Sequence, residues 1–141
     1  MTSFFDITST LPWPNAIGKR TAVGPLVGAA ESEAISELAR TTPLILVITA
    51  ATAAAHNLAS ELPFFLSDDR EILLVPDWET LPYDNFSPHE DIVSDRLKAL
   101  SRLPTLKSGV VIVSVTTLMH RLAPRHSVSY THLRAHETAR H

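Results

Sequence analysis

Hydrophobic residues alternate between short continuous runs and spaced positions, and the two patterns predict strands and helices in turn. The run Leu44–Thr49 (LILVIT) is uninterrupted and β-favouring, the pattern of a strand buried on both faces of a parallel sheet. Ile72–Val75 and Val110–Val113 predict two further buried strands. Apolar residues at helical spacing predict helices over Ala29–Arg40, from Thr52 to about Leu62, and over Thr116–Leu122.

A fourth helix is predicted to begin at Ser87. Ser87 and Glu90 have the spacing of a capping box, and Pro88 between them suits the first helical position. Pro104 ends this helix, because proline cannot continue the backbone hydrogen bonding. Its apolar face consists of Val93, Leu97 and Leu100.

Strands that alternate with helices at this spacing require right-handed crossovers and a parallel sheet. We therefore predict an α/β fold, a partial three-layer domain with a short parallel sheet. Pro63 is expected to kink or end the second helix, because its ring clashes with a carbonyl of the preceding turn. The predicted organisation is an irregular segment over residues 1–20, the α/β domain over 21–125, and a separate tail over 126–141.

Composition narrows the classes of partner. The net charge of −3 gives no basic surface of the kind that a phosphate backbone demands, so nucleic acid is not the obvious partner of this chain. Without cysteine, neither disulfides nor thiolate metal sites can form. No apolar run reaches the roughly 20 residues that span a bilayer, and no signal peptide is visible. We expect a cytoplasmic protein with no membrane partner.

The glycines do not match a phosphate-binding loop of the Walker A type. The Walker A pattern requires Gly-x-x-x-x-Gly-Lys followed by Ser or Thr. Gly24 and Gly28 are one residue too close, and alanines follow Gly28 where Lys and Ser/Thr belong. Gly18-Lys19 is followed by arginine and has Trp13 in place of the leading glycine. We predict that the turn from Gly24 to Gly28 only precedes the Ala29 helix, at the place where a nucleotide-binding fold carries its loop.

Acidic and histidine side chains are the remaining candidates for a metal-binding or catalytic site. Asp77, Glu79 and Asp84 could bind a hard cation or act in acid/base catalysis, whereas Glu90 and Asp91 are explained by the helix N-terminus. His56, His89 and His120 have no nucleophile at a motif-like spacing; His56 and His120 are placed on helices. We predict no catalytic, cofactor-binding or metal-binding residue.

The stretch between the Ile72 strand and the Ser87 helix is unusually aromatic. One interpretation is that its side chains fold back over the edge of the core. The other is a docking surface, because aromatic residues are favoured as interface anchors. The residues of this candidate partner surface are Trp78, Tyr83, Phe86 and His89.

Two stretches, PDWETLPYDNFSPHEDIVSDRL from residue 76 and GVVIVSVTTLMHRLAP from residue 109, closely resemble the N-terminal region of the bacterial transcription-repair coupling factors. The resemblance is strong from about Ile72 to Pro124 and looser from about Thr21 to Leu66. It implies a degenerate, helicase-like domain similar to domain 1A of the excision-repair protein UvrB, without its ATPase motifs.

The resemblance also implies a function for the intact family member. Such a protein is an ATP-driven DNA translocase that releases stalled RNA polymerase and recruits UvrA for nucleotide excision repair. ATP, magnesium, DNA, RNA polymerase and UvrA would bind parts absent from this chain, which would be a non-catalytic scaffold contacting the rest of the factor. The alternative is a stand-alone small α/β enzyme that binds a nucleotide or a metal at its strand ends.

The tail does not continue the pattern of the domain. Val128–Thr138 (VSYTHLRAHET) resembles one reading frame of a sequencing-library adapter. His132 and His136 have the spacing of two ligands on one helical face, but an artefactual tail explains them without a metal. We expect that the natural protein continues differently after about Arg125.

Overall fold

The computed structural model describes residues 11, 13, 16–67, 69–78 and 90–122 of the 141-residue chain. Tyr83, Phe86, His89 and the predicted helix start at Ser87 therefore lie outside the described residues. The elements follow in the order α1 (Ala30–Thr41), β1 (Leu44–Thr49), α2 (Thr52–Phe65), β2 (Glu71–Val75), α3 (Glu90–Arg102), a 3₁₀ turn (Leu103–Thr105), β3 (Gly109–Ser114) and α4 (Val115–Met119).

The three strands form one parallel sheet in the order β1-β3-β2. Gly109 at the start of β3 is in register with Leu44 on one side and Glu71 on the other. Strand β3, last in sequence, therefore lies between the other two. The prediction of an α/β fold with a short parallel sheet is confirmed.

Helices cover the two faces of the sheet, because alternate residues of β3 enter two different cores. All six residues of β3 are buried. The core beneath α2 consists of Ala55, Leu58, Leu62, Val110 and Ile112. The core beneath α3 consists of Val75, Ala99, Leu106, Val111 and Val113. The result is a helix layer, a sheet and a second helix layer.

The prediction that β1 is buried on both faces is wrong. Ile45 and Thr49 are buried, but Leu44, Leu46 and Ile48 are 44%, 58% and 55% exposed. The exposed residues point to the face on which α3 lies. Helix α3 packs on β2, at the far side of the sheet from β1, so it leaves this face of β1 uncovered.

Two predicted helix ends differ from the structure. Pro63 was expected to kink or end α2, and the structure excludes the end: the helix runs to Phe65, and the Leu66 N–H still donates to the Leu62 carbonyl oxygen at 2.9 Å. Proline removes only one donor here, within the last turn. Helix α4 ends at Met119 instead of Leu122, because His120 has extended backbone angles. None of the described helices has the length and apolar character needed to cross a membrane.

The buried face of α3 is only partly as predicted. Val93, Leu97 and Leu100 are half-buried, whereas the fully buried residues of this helix are Arg96 and Ala99. The core-facing stripe thus includes a cation among the apolar residues. An arginine is rarely fully buried unless a partner compensates its charge, so Arg96 requires an explanation from its contacts.

Gly109 is the tightest backbone position of the sheet. Its φ of +138° disfavours any L side chain, and its N–H donates to the Pro43 carbonyl oxygen at 2.7 Å. A Cβ atom at this position would collide with the carbonyl oxygen of Glu71. Glycine therefore allows the backbones of all three strands to approach at the start of β3.

Gly109→Ala is expected to destabilise the domain by about 2–4 kcal/mol, because it combines backbone strain with a steric clash. Urea denaturation followed by far-ultraviolet circular dichroism measures the loss. Gly24→Ala is the control, since an added Cβ atom meets nothing within 4 Å there. Equal stabilities for the two variants would contradict the proposed close approach.

Candidate functional site

Polar side chains gather at the carboxyl edge of the sheet, where the three parallel strands end. Thr49 and Ser114 end β1 and β3 in register with each other. Asp77 follows β2 by two residues, and Thr116 follows β3 by two residues. This edge is where open parallel α/β sheets place their ligands, so it is the candidate site, here called the strand-end cluster.

Asp77 is the centre of the strand-end cluster. Its Oδ2 accepts hydrogen bonds from the Thr116 hydroxyl at 2.7 Å and from the Thr52 hydroxyl at 3.3 Å. Its Oδ1 accepts from the Trp78 backbone N–H at 2.8 Å. The carboxylate therefore joins the chain leaving β2 to the first residues of α2 and α4.

His120 adds a fourth neighbour. Its Nδ1 lies 3.5 Å from Asp77 Oδ1, close enough for an ion pair when the imidazole is protonated. The geometry does not make a hydrogen bond, and this buried nitrogen has no hydrogen-bond partner among the described residues. The prediction that His120 lies on a helix is wrong, because α4 ends one residue earlier.

Asp77 is held in its ionised form. Burial alone would raise its pKa, and its side chain is only 13% exposed. The hydrogen bonds from Thr116, Trp78 and Thr52, together with the nearby His120, outweigh burial and lower the pKa below 3.8. A general base works best with a pKa near the operating pH. Asp77 is thus better suited to accept structural hydrogen bonds than to transfer protons.

Arg96 fixes the chain where it leaves β2. The residue is 2% exposed, and its Nη1 donates to the Pro76 carbonyl oxygen at 2.7 Å. Its guanidinium carbon lies 4.9 Å from the centroid of the Trp78 ring, a cation–π arrangement. Burial lowers the pKa of Arg96, while the charge of Asp77 opposes this effect. Nη2 has no hydrogen-bond partner within the described part of the chain.

Trp78 is the one member of the candidate partner surface that the structure describes. It is half-buried, and Arg96 contacts its ring. Part of this side chain therefore serves the domain itself. A partner surface of Trp78, Tyr83, Phe86 and His89 stays a prediction, because the other three residues lie outside the described part.

The glycine turn does not lie among the strand-end residues. Gly28 has a φ of +62°, and α1 begins at Ala30 with no side chain capping its N-terminus. In the first turn of α1 the fully buried Ser32 donates to the Glu61 carboxylate at 2.9 Å. Glu61 lies near the end of α2, while the cluster contacts Thr52 at its start.

A metal ion is not favoured by the described residues. No group of three or more histidine, aspartate or glutamate side chains is placed to hold one within residues 16–67, 69–78 and 90–122. Asp77 is the single carboxylate of the described strand-end cluster, and its oxygens already accept three hydrogen bonds. Glu79 and Asp84, the other two candidate ligands, lie outside the described part.

Neither Thr116 of this cluster nor the neighbouring Arg96 was predicted from the sequence as a site residue. A usable signal existed for Thr116, because polar residues that directly follow parallel strands meet at one edge. Arg96 had no such signal, since an arginine among helical apolar positions is usually exposed.

Asp77→Asn is expected to lower the free energy of unfolding at pH 7 by about 1–3 kcal/mol, because hydrogen bonds to a charged acceptor are lost. Since folding lowers the pKa of Asp77, its contribution is present above the unfolded value near 3.8 and is lost as the pH falls through the folded value. Urea denaturation from pH 7 to pH 3 measures the difference between wild type and variant, which should shrink below about pH 4. The control is Asp95→Asn, on an exposed side chain that pairs with Lys98. A difference that stays constant with pH would contradict this role of the carboxylate.

Arg96→Met is expected to lower the free energy of unfolding by about 1–3 kcal/mol, because the Pro76 carbonyl loses its donor and the Trp78 ring loses its cation. Thermal denaturation with tryptophan fluorescence measures the loss. Lys98→Met on the same helix is the matched control, with a side chain that is 62% exposed. We expect a change within about 0.5 kcal/mol for the control. Similar losses for both variants would show that Arg96 has no special role.

Comparison with known proteins identifies relatives. No family model matches the chain. The chain is 42% identical over 120 residues to the transcription-repair-coupling factor of Escherichia coli, covering 84% of this chain and 10% of that protein. It is 43% identical over 103 residues to the protein of the same name from Haemophilus influenzae, covering 72% of this chain and 9% of that protein. The relative from Mycobacterium bovis is 42% identical over 99 residues, covering 64% of this chain and 8% of that protein.

These matches agree with the resemblance on the motif residues, and nothing in them favours a stand-alone enzyme. The chain spans about a tenth of the length of the relatives that it matches. This chain belongs to the family of the transcription-repair-coupling factors and corresponds to one part of such a protein.

Proposed function

We propose that this chain is a non-catalytic scaffold module of a transcription-repair coupling factor. The observation that carries the proposal is the use of the strand-end cluster for internal hydrogen bonds. Asp77 accepts from Thr116, Thr52 and the Trp78 backbone, so its oxygens serve the connections between β2, α2 and α4. A ligand at this edge would compete with bonds that hold the domain together.

The start of α1 also opposes nucleotide binding. A phosphate loop presents backbone N–H groups and a lysine to the anion. Here the first turn of α1 carries Glu31 and Glu33, and the Glu61 carboxylate accepts from Ser32. Three carboxylates around one helix start repel a triphosphate. The degenerate character of this UvrB-like domain is therefore electrostatic as well as a matter of missing motif residues.

In this proposal, the ATP-driven activity of the intact factor is carried out by the parts of the protein outside this chain. The intact factor uses ATP and magnesium to translocate on DNA, releases stalled RNA polymerase and recruits UvrA. The module supplies a rigid α/β mounting for neighbouring domains in the cytoplasm. Its net charge of −3 fits a role in contacting protein better than a role in contacting DNA.

The aromatic stretch that follows β2 offers a contact surface for a partner of this scaffold module. Trp78, Tyr83, Phe86 and His89 follow β2 closely in sequence. Arg96 holds the start of this stretch through Pro76 and Trp78. A fixed start reduces the entropy that a partner must remove on binding, which favours recognition at this position.

Isothermal titration of the 141-residue chain with ATP and magnesium is expected to show no binding heat beyond dilution. Titration with magnesium alone provides the baseline for the metal. Gly28→Ala is the matched variant, because it changes the glycine turn without touching the strand-end cluster. Saturable heat in the unsubstituted chain that disappears in Gly28→Ala would place a nucleotide at this turn and contradict the scaffold proposal.

A further inference from the structure

An apolar groove opens on the face of the sheet that α3 covers only in part. It has a volume of about 260 Å³. Leu46 of β1 and Leu118 of α4 are half exposed, at 58% and 50%, and Leu122 beyond α4 is 61% exposed. Its floor and walls include Leu46, Val75, Leu100, Val111, Leu118 and Leu122.

The groove is a continuation of the core beneath α3. Val75, Val111 and Val113 belong to that core and also line the groove. Among the described residues that line the groove, Thr117 is the one polar residue and none is charged. Surface grooves that bind charged or polar ligands need convergent polar groups. This groove instead has the chemistry of a domain interior.

The exposed apolar surface extends beyond the groove. Leu44 and Ile48 flank Leu46 on the same face of β1 and are 44% and 55% exposed. Together with the groove we call this surface the open face. Contiguous apolar surface of this kind marks an interface. The open face lies mainly over β1, on the side of the sheet where α3 packs on β2.

We infer that an apolar helix from the part of the coupling factor outside this chain packs into the groove and covers the open face. The relatives are about ten times longer than the aligned region, so most of such a protein lies outside this chain. Leu122, at the end of the last described segment, is itself a lining residue, so the polypeptide leaves the described domain at the groove.

The character of the lining decides between this occupant and others. A charged partner finds no complementary charge in the groove. A helix of the same polypeptide is held close by covalent connection, which gives it a high effective concentration. The inference rests on the proposed scaffold role, since it names the surface with which the module contacts the neighbouring part of the coupling factor.

The test uses the absence of cysteine from the chain. Leu46→Cys places one thiol on the open face, and Asn57→Cys places a control thiol on the exposed side of α2. Each variant is prepared as the 141-residue chain and within a full-length hybrid, in which the chain replaces the aligned segment of the Escherichia coli relative and all other cysteines are serine. The measurement is the rate of thiol labelling by a maleimide dye.

We expect labelling at position 46 to be at least about tenfold slower in the hybrid than in the isolated chain, because burial restricts access to the thiol. Labelling at position 57 should differ less than about twofold between the two. Equal rates at position 46 in both forms would overturn the inference. Sedimentation analysis tests whether the isolated chain forms a dimer. A dimer that protects position 46 would also overturn the inference, because a second copy of the chain would then be the occupant.

Leu46→Ser gives a second readout that does not depend on labelling. The melting temperature of the isolated chain should change little, because Leu46 is mostly exposed there. In the hybrid the same substitution should lower the melting temperature of this domain. Equal shifts in both forms would also overturn the inference. Nucleotide binding by the isolated chain would contradict the scaffold role while leaving these two measurements unchanged, so the two failures are distinguishable.

Discussion

Strand β3 is buried on both faces, and this burial dictates where the helices must pack. Because its six residues are all buried, alternate side chains must enter two separate cores. One core requires α2 and the other requires α3, so the two crossovers have to lie on opposite faces of the sheet. Gly109 makes this arrangement possible at the start of the strand, where three backbones meet.

The polar ends of the strands follow from the same arrangement. Parallel strands bring their carboxyl ends together, and here Asp77 and Arg96 connect the chain that leaves β2 to neighbouring elements through hydrogen bonds. Asp77 remains ionised because its hydrogen bonds outweigh the effect of burial on its pKa. The hydrogen bond to the Pro76 carbonyl and the contact with the Trp78 ring compensate the loss of hydration of the buried Arg96 cation. At this edge, the described polar side chains therefore contribute hydrogen bonds to the internal framework of the domain.

The two faces of the sheet are covered to different extents. The face beneath α2 is closed over β3 by Leu58 and Leu62, whereas the opposite face leaves Leu46 and Ile48 of β1 exposed. A domain of a much longer protein can leave such surface open, because a neighbouring part of the polypeptide can cover it.

The strands, most of the helices, the α/β class and the family could be predicted from the sequence alone. Those features depend on local periodicity and on a long motif run, both of which are readable without contacts. The burial of Arg96, the exposed face of β1 and the position of His120 at Asp77 were decided only by the tertiary structure. Each depends on which element packs against which across long separations in sequence. LILVIT has the same apolar pattern whether one face of the sheet or both are covered, and only the placement of α3 on β2 leaves Leu46 exposed.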